Sequence, residues 1–311
     1  MSETMIAGSR DSKLAMWQTR WVEERLSARF KDINIPVVAV KAKGDRILDI
    51  PLAQFGDKGL FTRELDNALL SGEIDFAVHS LKDLPTEMPD GLIIAAVTTR
   101  WDCRDALIAR DGLTLETLPP GAVVATGSLR RQSQLLAYRP DLRVADIRGN
   151  IHTRLKKFDD SDWQGMILAA AGLERMNLHD RISQKISFDV MLPGIGQGSL
   201  AVVCRADDQK NMERLKTVED PEARDMARAE RAFLNRLEGG CQVPIGARAD
   251  IDGGALRLRG FVGSVDGKNT IRVEISGLRA EAVQLGRELA LRAREEGAGE
   301  ILAAIRGEAG K

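Results

Sequence analysis

The chain has 311 residues, of which 43% are hydrophobic and 29% charged, with a formal net charge of −1. That length predicts two or three domains, each large enough for a core, and that balance places the chain among soluble globular proteins. A nearly neutral molecule has no overall field to draw nucleic acid or a membrane, so any affinity for anions must come from local clustering of cations.

The first ten residues, MSETMIAGSR, carry an early acidic residue and no apolar h-region, so they do not read as a secretory signal. Residues 5–7 read as a short buried strand, and 8–12 turn into a helix whose apolar positions are Leu14, Trp17, Trp21, Val22 and Leu26. A second strand at 37–40 makes this the start of an α/β domain. The pattern predicts a helix over 61–70, with Thr62 as its cap. A buried strand at 74–78 follows, and its carboxyl end delivers His79, Ser80, Leu81, Lys82 and Asp83. Open α/β sheets gather ligands beyond the carboxyl ends of their strands. Residues 92–97, LIIAAV, continue the sheet and are far too short to cross a membrane.

Near Arg100 the chain leaves this domain, and residues 104–192 repeat the same plan. Strands are expected at 106–109 and 122–126, around the Pro119-Pro120 turn. Gly127 and Ser128 open a helix with Arg130 and Arg131 in its first turn. A strand at 144–147 ends at Arg148, Gly149 and Asn150, the next helix carries Arg154, and a strand at 166–170 follows. The glycine-rich stretch 193–197 reads as a crossing. From Pro221 the composition changes to one long helix, strands at 255–262 and 270–275 around Asp266-Gly267, and closing helices at 280–296 and 300–306.

The helix from Pro221 places Met226, Ala229, Phe233 and Leu237 on one face and runs into LEGGCQVPIG (237–246). Gly239 and Gly240 form a helix stop and Pro244 bars renewed helix, so Cys241 is a thiol in a tight loop with bare backbone beside it. Three widely spaced cysteines, Cys103, Cys204 and Cys241, argue against a disulfide framework and for a reducing cytoplasm. The histidines His79, His152 and His179 lack ligand spacing, so no metal site is expected.

Five stretches together, LEGGCQVPIG, VHSLKDLP (78–85), GSLRRQSQL (127–135), RGNIHTRL (148–155) and GIGQGSLAV (194–202), resemble the porphobilinogen deaminase (hydroxymethylbilane synthase) family in order and spacing, over essentially the whole chain. The resemblance implies two α/β domains similar to type II periplasmic-binding-protein folds, residues 1–98 with 199–216 and residues 104–192. It also implies a small α+β domain, 221–311, that carries the cofactor-attachment cysteine. The strand at 199–205 returns to the first domain on the family's pattern alone. The implied cofactor is a dipyrromethane joined to Cys241 by a thioether. Lys82, Ser128, Arg130, Arg131, Arg148 and Gly149 are implied to bind it, and Arg10, Lys58, Arg154 and Arg175 to bind substrate. Asp83 is implied as the catalytic carboxylate. The implied substrate is porphobilinogen and the product linear hydroxymethylbilane, handed on to uroporphyrinogen III synthase by a cytoplasmic monomer with no nucleic-acid or membrane partner.

The chemistry fits these residue types. Pyrroles with acetate and propionate arms present many carboxylates, which planar guanidinium forks bind bidentately. Arg130 and Arg131 also stand at a helix amino terminus, where free N–H groups attract anions. A fixed carboxylate at Asp83 would stabilise positive charge developing on a pyrrole nitrogen and help move protons. Gln54 and Gly127 depart from the family, which commonly has lysine and serine there. Two other readings remain at this point: a non-catalytic two-lobed anion-binding protein, and a thiol-dependent acyl transferase.

Overall fold

The computed structural model describes residues 3–40, 62–237 and 243–309. Those residues form two compact units, one of 3–40, 62–101 and 198–224, the other of 102–197, 225–237 and 243–309.

The first unit begins with β1 (Glu3–Thr4), β2 (Ala7–Arg10), α1 (Lys13–Arg29), β3 (Ile33–Asn34) and β4 (Val37–Val40). It continues with α2 (Arg63–Leu70), β5 (Phe76–Ser80) and β6 (Leu92–Val97). The expected strand at 5–7 starts later because its first amides bond outside the main ladder. Ile6 N–H donates to the Asp75 carboxylate at 2.6 Å, and Met5 N–H donates to the Asn34 carbonyl. The same anchoring at Asp75 shifts the 74–78 strand to Phe76–Ser80. Helix α1 buries Ala15, Gln18, Thr19, Val22 and Leu26, a face turned from the expected one and partly polar. Trp17 instead packs edge-on against Trp101, ring centres 5.5 Å apart. Thr62 flanks α2 but makes no capping bond.

In the second unit, β7 (Asp105–Ala109), β8 (Val123–Ala125), α3 (Leu129–Tyr138), β9 (Arg143–Ala145), α4 (Ile151–Asp159), β10 (Gly165–Ala169), α5 (Ala170–Arg175) and β11 (Gln184–Lys185) alternate as expected. The chain then returns to the first unit as β12 (Leu200–Arg205), followed by α6 (Gln209–Leu215). Strand β12 lies antiparallel between β5 and β6, giving the order β4-β2-β5-β12-β6. The other large sheet has the matching order β9-β8-β10-β7-β11, with β7 antiparallel to β10. In each, three directly paired parallel strands at one side of the sheet are ordered second, first, third, as in doubly wound sheets, and a fourth strand of the same direction lies beyond the antiparallel one.

Helix α7 (Pro221–Arg236) leads to a meander of β13 (Ile245–Asp252), β14 (Ala255–Gly263) and β15 (Thr270–Leu278), then α8 (Ala282–Ala293) and α9 (Gly299–Ala309). Strand β13 is absent from the sequence-based expectation. Between Ile245 and Ile251 its inward residues are Ala247 and Ala249, weak strand formers with little apolar signature. Ala229, Phe233 and Leu237, all fully buried, form the core here as expected, with Leu256, Leu258 and Leu289. Gly286 sets how close α8 comes to α7, since a Cβ there would lie 2.3 Å from the Ala229 carbonyl.

Candidate functional site

In the first unit, two parallel strands deliver the polar residues. Arg10 ends β2, and Ser80 ends β5 before a 3-10 turn over Leu81–Asp83. Leu81 and Leu84 are buried on either side of the turn, which leaves Lys82 half-buried and Asp83 exposed. Pro85 holds Leu84 in an extended conformation and ends the turn. Ser12 caps α1 by accepting from Ala15 N–H, and Gln18 of that helix donates to the Ser80 hydroxyl at 2.9 Å. Arg10, Ser12, Gln18, His79, Ser80 and Asp83 line one cavity of about 60 Å³. His79 is 5% exposed, and its Nε2 has no hydrogen-bond partner. Burial, and then the Arg10 charge, push its pKa down to about 4, so the imidazole is neutral near pH 7.

In the second unit the candidates follow the carboxyl ends of β8, β9 and β10. Ser128 precedes α3 without using its hydroxyl as a cap. Arg130 and Arg131, in the first turn, are 6% and 5% exposed. Both are held by Asp105, fully buried at the start of β7. Arg130 Nη1 donates to Asp105 Oδ2 at 2.6 Å, and Arg131 Nε to Oδ1 at 2.9 Å. Gln197 Nε2 adds a third donor at 3.0 Å. Burial by itself would raise the Asp105 pKa, but the two guanidiniums outweigh it and hold the carboxyl well below its usual range.

After β9, Arg148 pairs with Asp146 at 2.9 Å. Gly149 has φ +113, and a Cβ there would lie 2.7 Å from Thr153 Cγ2, so this bend into α4 requires glycine. Asn150 caps α4, and Arg154 Nε donates back to the Gly149 carbonyl at 2.7 Å. Arg175 ends α5, buried, and its pKa is pushed down to about 10 by burial against the opposing pull of Glu174. Lys58, Gln54 and Cys241 lie outside the described residues. The other two cysteines, Cys103 and Cys204, are buried, and burial pushes the Cys204 thiol up to about 11. No cluster of metal-ligating side chains occurs among the described residues.

Residues 5–213 match the family model described as porphobilinogen deaminase, dipyromethane cofactor binding domain. Residues 224–295 match the model of the porphobilinogen deaminase C-terminal domain. The chain belongs to the porphobilinogen deaminase family. It is 49% identical over 310 residues to the porphobilinogen deaminase of Chloroherpeton thalassium, covering 98% of this chain and 99% of that one. It is 50% identical over 308 residues to that of Pelotomaculum thermopropionicum, with 99% of each covered. Among solved structures it is similar to the periplasmic VFT2 domain of Bordetella pertussis BvgS, with 13% identity, 70% of this chain and 86% of that one covered, and a TM-score of 0.40. It is likewise similar to the extracellular-binding protein ytmK of Bacillus subtilis, with 10% identity, 69% and 89% covered, and a TM-score of 0.40.

The family's dipyrromethane carries carboxylate arms, and the second unit offers the matching donors: guanidiniums, the Ser128 hydroxyl and the amino termini of α3 and α4. At Gly127, where the family commonly has serine, a Cβ would lie 2.7 Å from the Ile147 carbonyl. A side chain fits there only if that backbone shifts. Asp105 and His79 are missing from the sequence-based site. Asp105 stands just before an apolar run, which marks a strand start but not a contact 25 residues further on. His79 gives no signal beyond its place in the strand.

Proposed function

We propose that this chain, as a transferase of tetrapyrrole biosynthesis, condenses four porphobilinogen molecules head to tail on its primer with one ammonia released per addition, and that water then cleaves the new tetrapyrrole from the primer as linear hydroxymethylbilane. The observation that carries the reading is Asp83 on a pinned turn at the end of β5, lining one cavity with Arg10, in a chain of this family. When bound, the dipyrromethane supplies the free α-carbon to which the first new pyrrole is joined.

The chain's own residues have separable tasks. Cys241 is the attachment point. Asp83 stabilises positive charge on the pyrrole nitrogen of the incoming substrate as its amine leaves, and receives protons displaced in the joining step. Lys82, Ser128, Arg130, Arg131, Arg148 and Gly149 hold the cofactor. Arg10, Lys58, Arg154 and Arg175 hold substrate carboxylates through charge-assisted hydrogen bonds. We divide the chain into 1–98 with 199–216, 104–192 and 221–311, a division supported by two five-stranded sheets and a separate three-stranded one, and by the family's own break between residues 213 and 224. The product passes to uroporphyrinogen III synthase, and the working form is a cytoplasmic monomer.

The test is an intact mass of the purified protein. It should exceed the sequence mass by two linked pyrrole units, and Cys241→Ala should remove both the excess and the activity. A fully active protein at its bare sequence mass would sink the primer.

A further inference from the structure

Asp266-Gly267, the turn signal between β14 and β15, does more than reverse the chain. Gly267 is buried between the exposed Asp266 and Lys268, although it stands at the tip of the hairpin. Its φ is +73, a conformation that favours glycine. A Cβ there would lie 2.5 Å from the Ala137 amide nitrogen and 2.7 Å from the Ser133 carbonyl oxygen. The tip therefore rests directly on the backbone of α3. At the end of β14, a Cβ on Gly263 would strike the hydroxyl of Ser133, which is fully buried.

The loop's own bonds give the tip its shape. Ser264 Oγ donates to Asp266 Oδ1 at 2.6 Å and accepts from Asn269 N–H at 3.0 Å, and Lys268 N–H donates to the same carboxylate oxygen at 3.2 Å. At its base the hairpin holds the chain that leaves the Cys241 loop, since Gly263 N–H donates to the Pro244 carbonyl at 3.1 Å. The rest of the sheet's outer face is seated on the same half of this unit. Ala247 N–H donates to the Pro193 carbonyl at 3.1 Å, Arg272 donates to the Val190 carbonyl at 2.9 Å, and the Arg248 guanidinium lies 3.6 Å from the centre of the Phe188 ring.

We propose that the β14–β15 hairpin is a clamp and Gly267 its positioning residue: it fixes the exit of the Cys241 loop against α3, and so sets the separation between the attachment thiol and the helix that receives the cofactor's carboxylates. The inference rests on the roles of Cys241 and α3 in the proposed function. Loading forms a bond from the Cys241 sulfur to a pyrrole methylene carbon as that carbon's leaving group, ammonia or water, departs with the thiol proton. A ligand held at two points reacts only if those points are correctly spaced, and a displacement of about 1 Å between reacting atoms costs about a hundredfold in rate. A side chain at Gly267 would lift the hairpin from α3 and shift the exit of the loop with it.

The experiment compares Gly267→Asn with Gly253→Asn in the full-length protein. Asparagine tolerates the left-handed conformation that both glycines adopt, at φ +73 and +59, and nothing lies within 4 Å of a Cβ at Gly253. The two variants therefore carry a similar backbone cost and differ in what they do to α3. Ile275→Val, on the inner face of β15, lowers stability without reaching α3. Amide exchange over residues 134–138 and the fraction of protein carrying the two-pyrrole mass are read for each, with the melting temperature. Gly267→Asn should speed that exchange about tenfold and load about tenfold less than wild type. Gly253→Asn and Ile275→Val should stay within about twofold of wild type in both. If Gly267→Asn does not fold, Asp266→Ala decides: it removes the bonds that shape the tip, adds no bulk, and should move both readouts the same way by about fivefold. Unchanged α3 exchange overturns the proposal, and so does faster exchange with normal loading. An equal loss of loading in a control of the same melting temperature overturns it as well. A wild-type protein without the two-pyrrole mass would instead overturn the role of Cys241 on which the proposal rests.

Discussion

Asp83 and His79 lie four residues apart and line one cavity, yet their surroundings give them different chemistry. Asp83 is exposed on a turn fixed by Leu81 and Leu84, so its backbone is held in place and its carboxylate is open to a ligand. Asp83→Asn should leave the fold and the attached cofactor intact and lower kcat by about a hundredfold, with KM changed only a few-fold. An interaction that strengthens as charge develops acts on the transition state more than on the bound substrate. Steady-state kinetics check this, and a kcat within a few-fold of wild type would reduce Asp83 to a loop residue. His79 is buried and neutral, with a folded pKa of about 4 against 6.5 for the free side chain. Between those values the unfolded chain binds the extra proton, so stability falls as pH falls through that window and is fully retained above it. The depressed pKa corresponds to about 3 kcal/mol lost by the time the folded pKa is passed. His79→Gln should lose that much less stability between about pH 7 and pH 4 in denaturant titrations. An unchanged pH slope would mean that His79 does not titrate in this way. The place of Asp83 was legible in the sequence as a strand end followed by a turn. The burial of His79 was not, because covering on both faces of β5 comes from elements distant in the chain.

At the scale of elements, the helices after residues 12 and 150 begin where the sequence reading placed them, but the cap read from sequence was Thr62, and the caps that form lie elsewhere. Ser12 and Asn150 each accept from the amide three residues on. Thr62 and Ser128 occupy cap positions without capping bonds. Asn150 has a second consequence, since the turn it closes also carries Arg148, Gly149 and the Arg154 contact. Asn150→Ala should lower stability by about 1 kcal/mol, read from the urea midpoint. It should also speed amide exchange in the first turn of α4 more than in α3; equal change in both helices would remove the local argument. Strand boundaries were read less well. Residues 5–7 and 74–78 carry the right hydrophobicity, but ladder pairing is decided by partners far along the chain, and Asp75 diverts one of the amides. Strand β13 escaped notice because alanine gives no period-two contrast strong enough to see.

In the whole molecule, Glu230 is fully buried and accepts from Gly196 N–H and Ala249 N–H, both at 2.8 Å. It joins α7, the glycine-rich stretch and the C-terminal sheet inside one unit. The Gly196 and Ala249 amides should therefore exchange with solvent at the same free energy as the amide of Ile167 in β10, within about 1 kcal/mol. Native-state hydrogen exchange measures this, and an Ala249 amide that opens several kcal/mol earlier would make the C-terminal sheet a separate cooperative body. The sequence by itself determined the α/β repeat and the family, and it named candidate charged residues at strand ends and helix starts. Hydrophobic periodicity, helix caps and motif spacing are written within a few residues of one another. Only the tertiary structure decided that two adjacent arginines share the buried Asp105, far earlier in the chain. Such pairings depend on which strand lies next to which. That order is set by packing and hydrogen bonding across the sheet, and no local pattern encodes it.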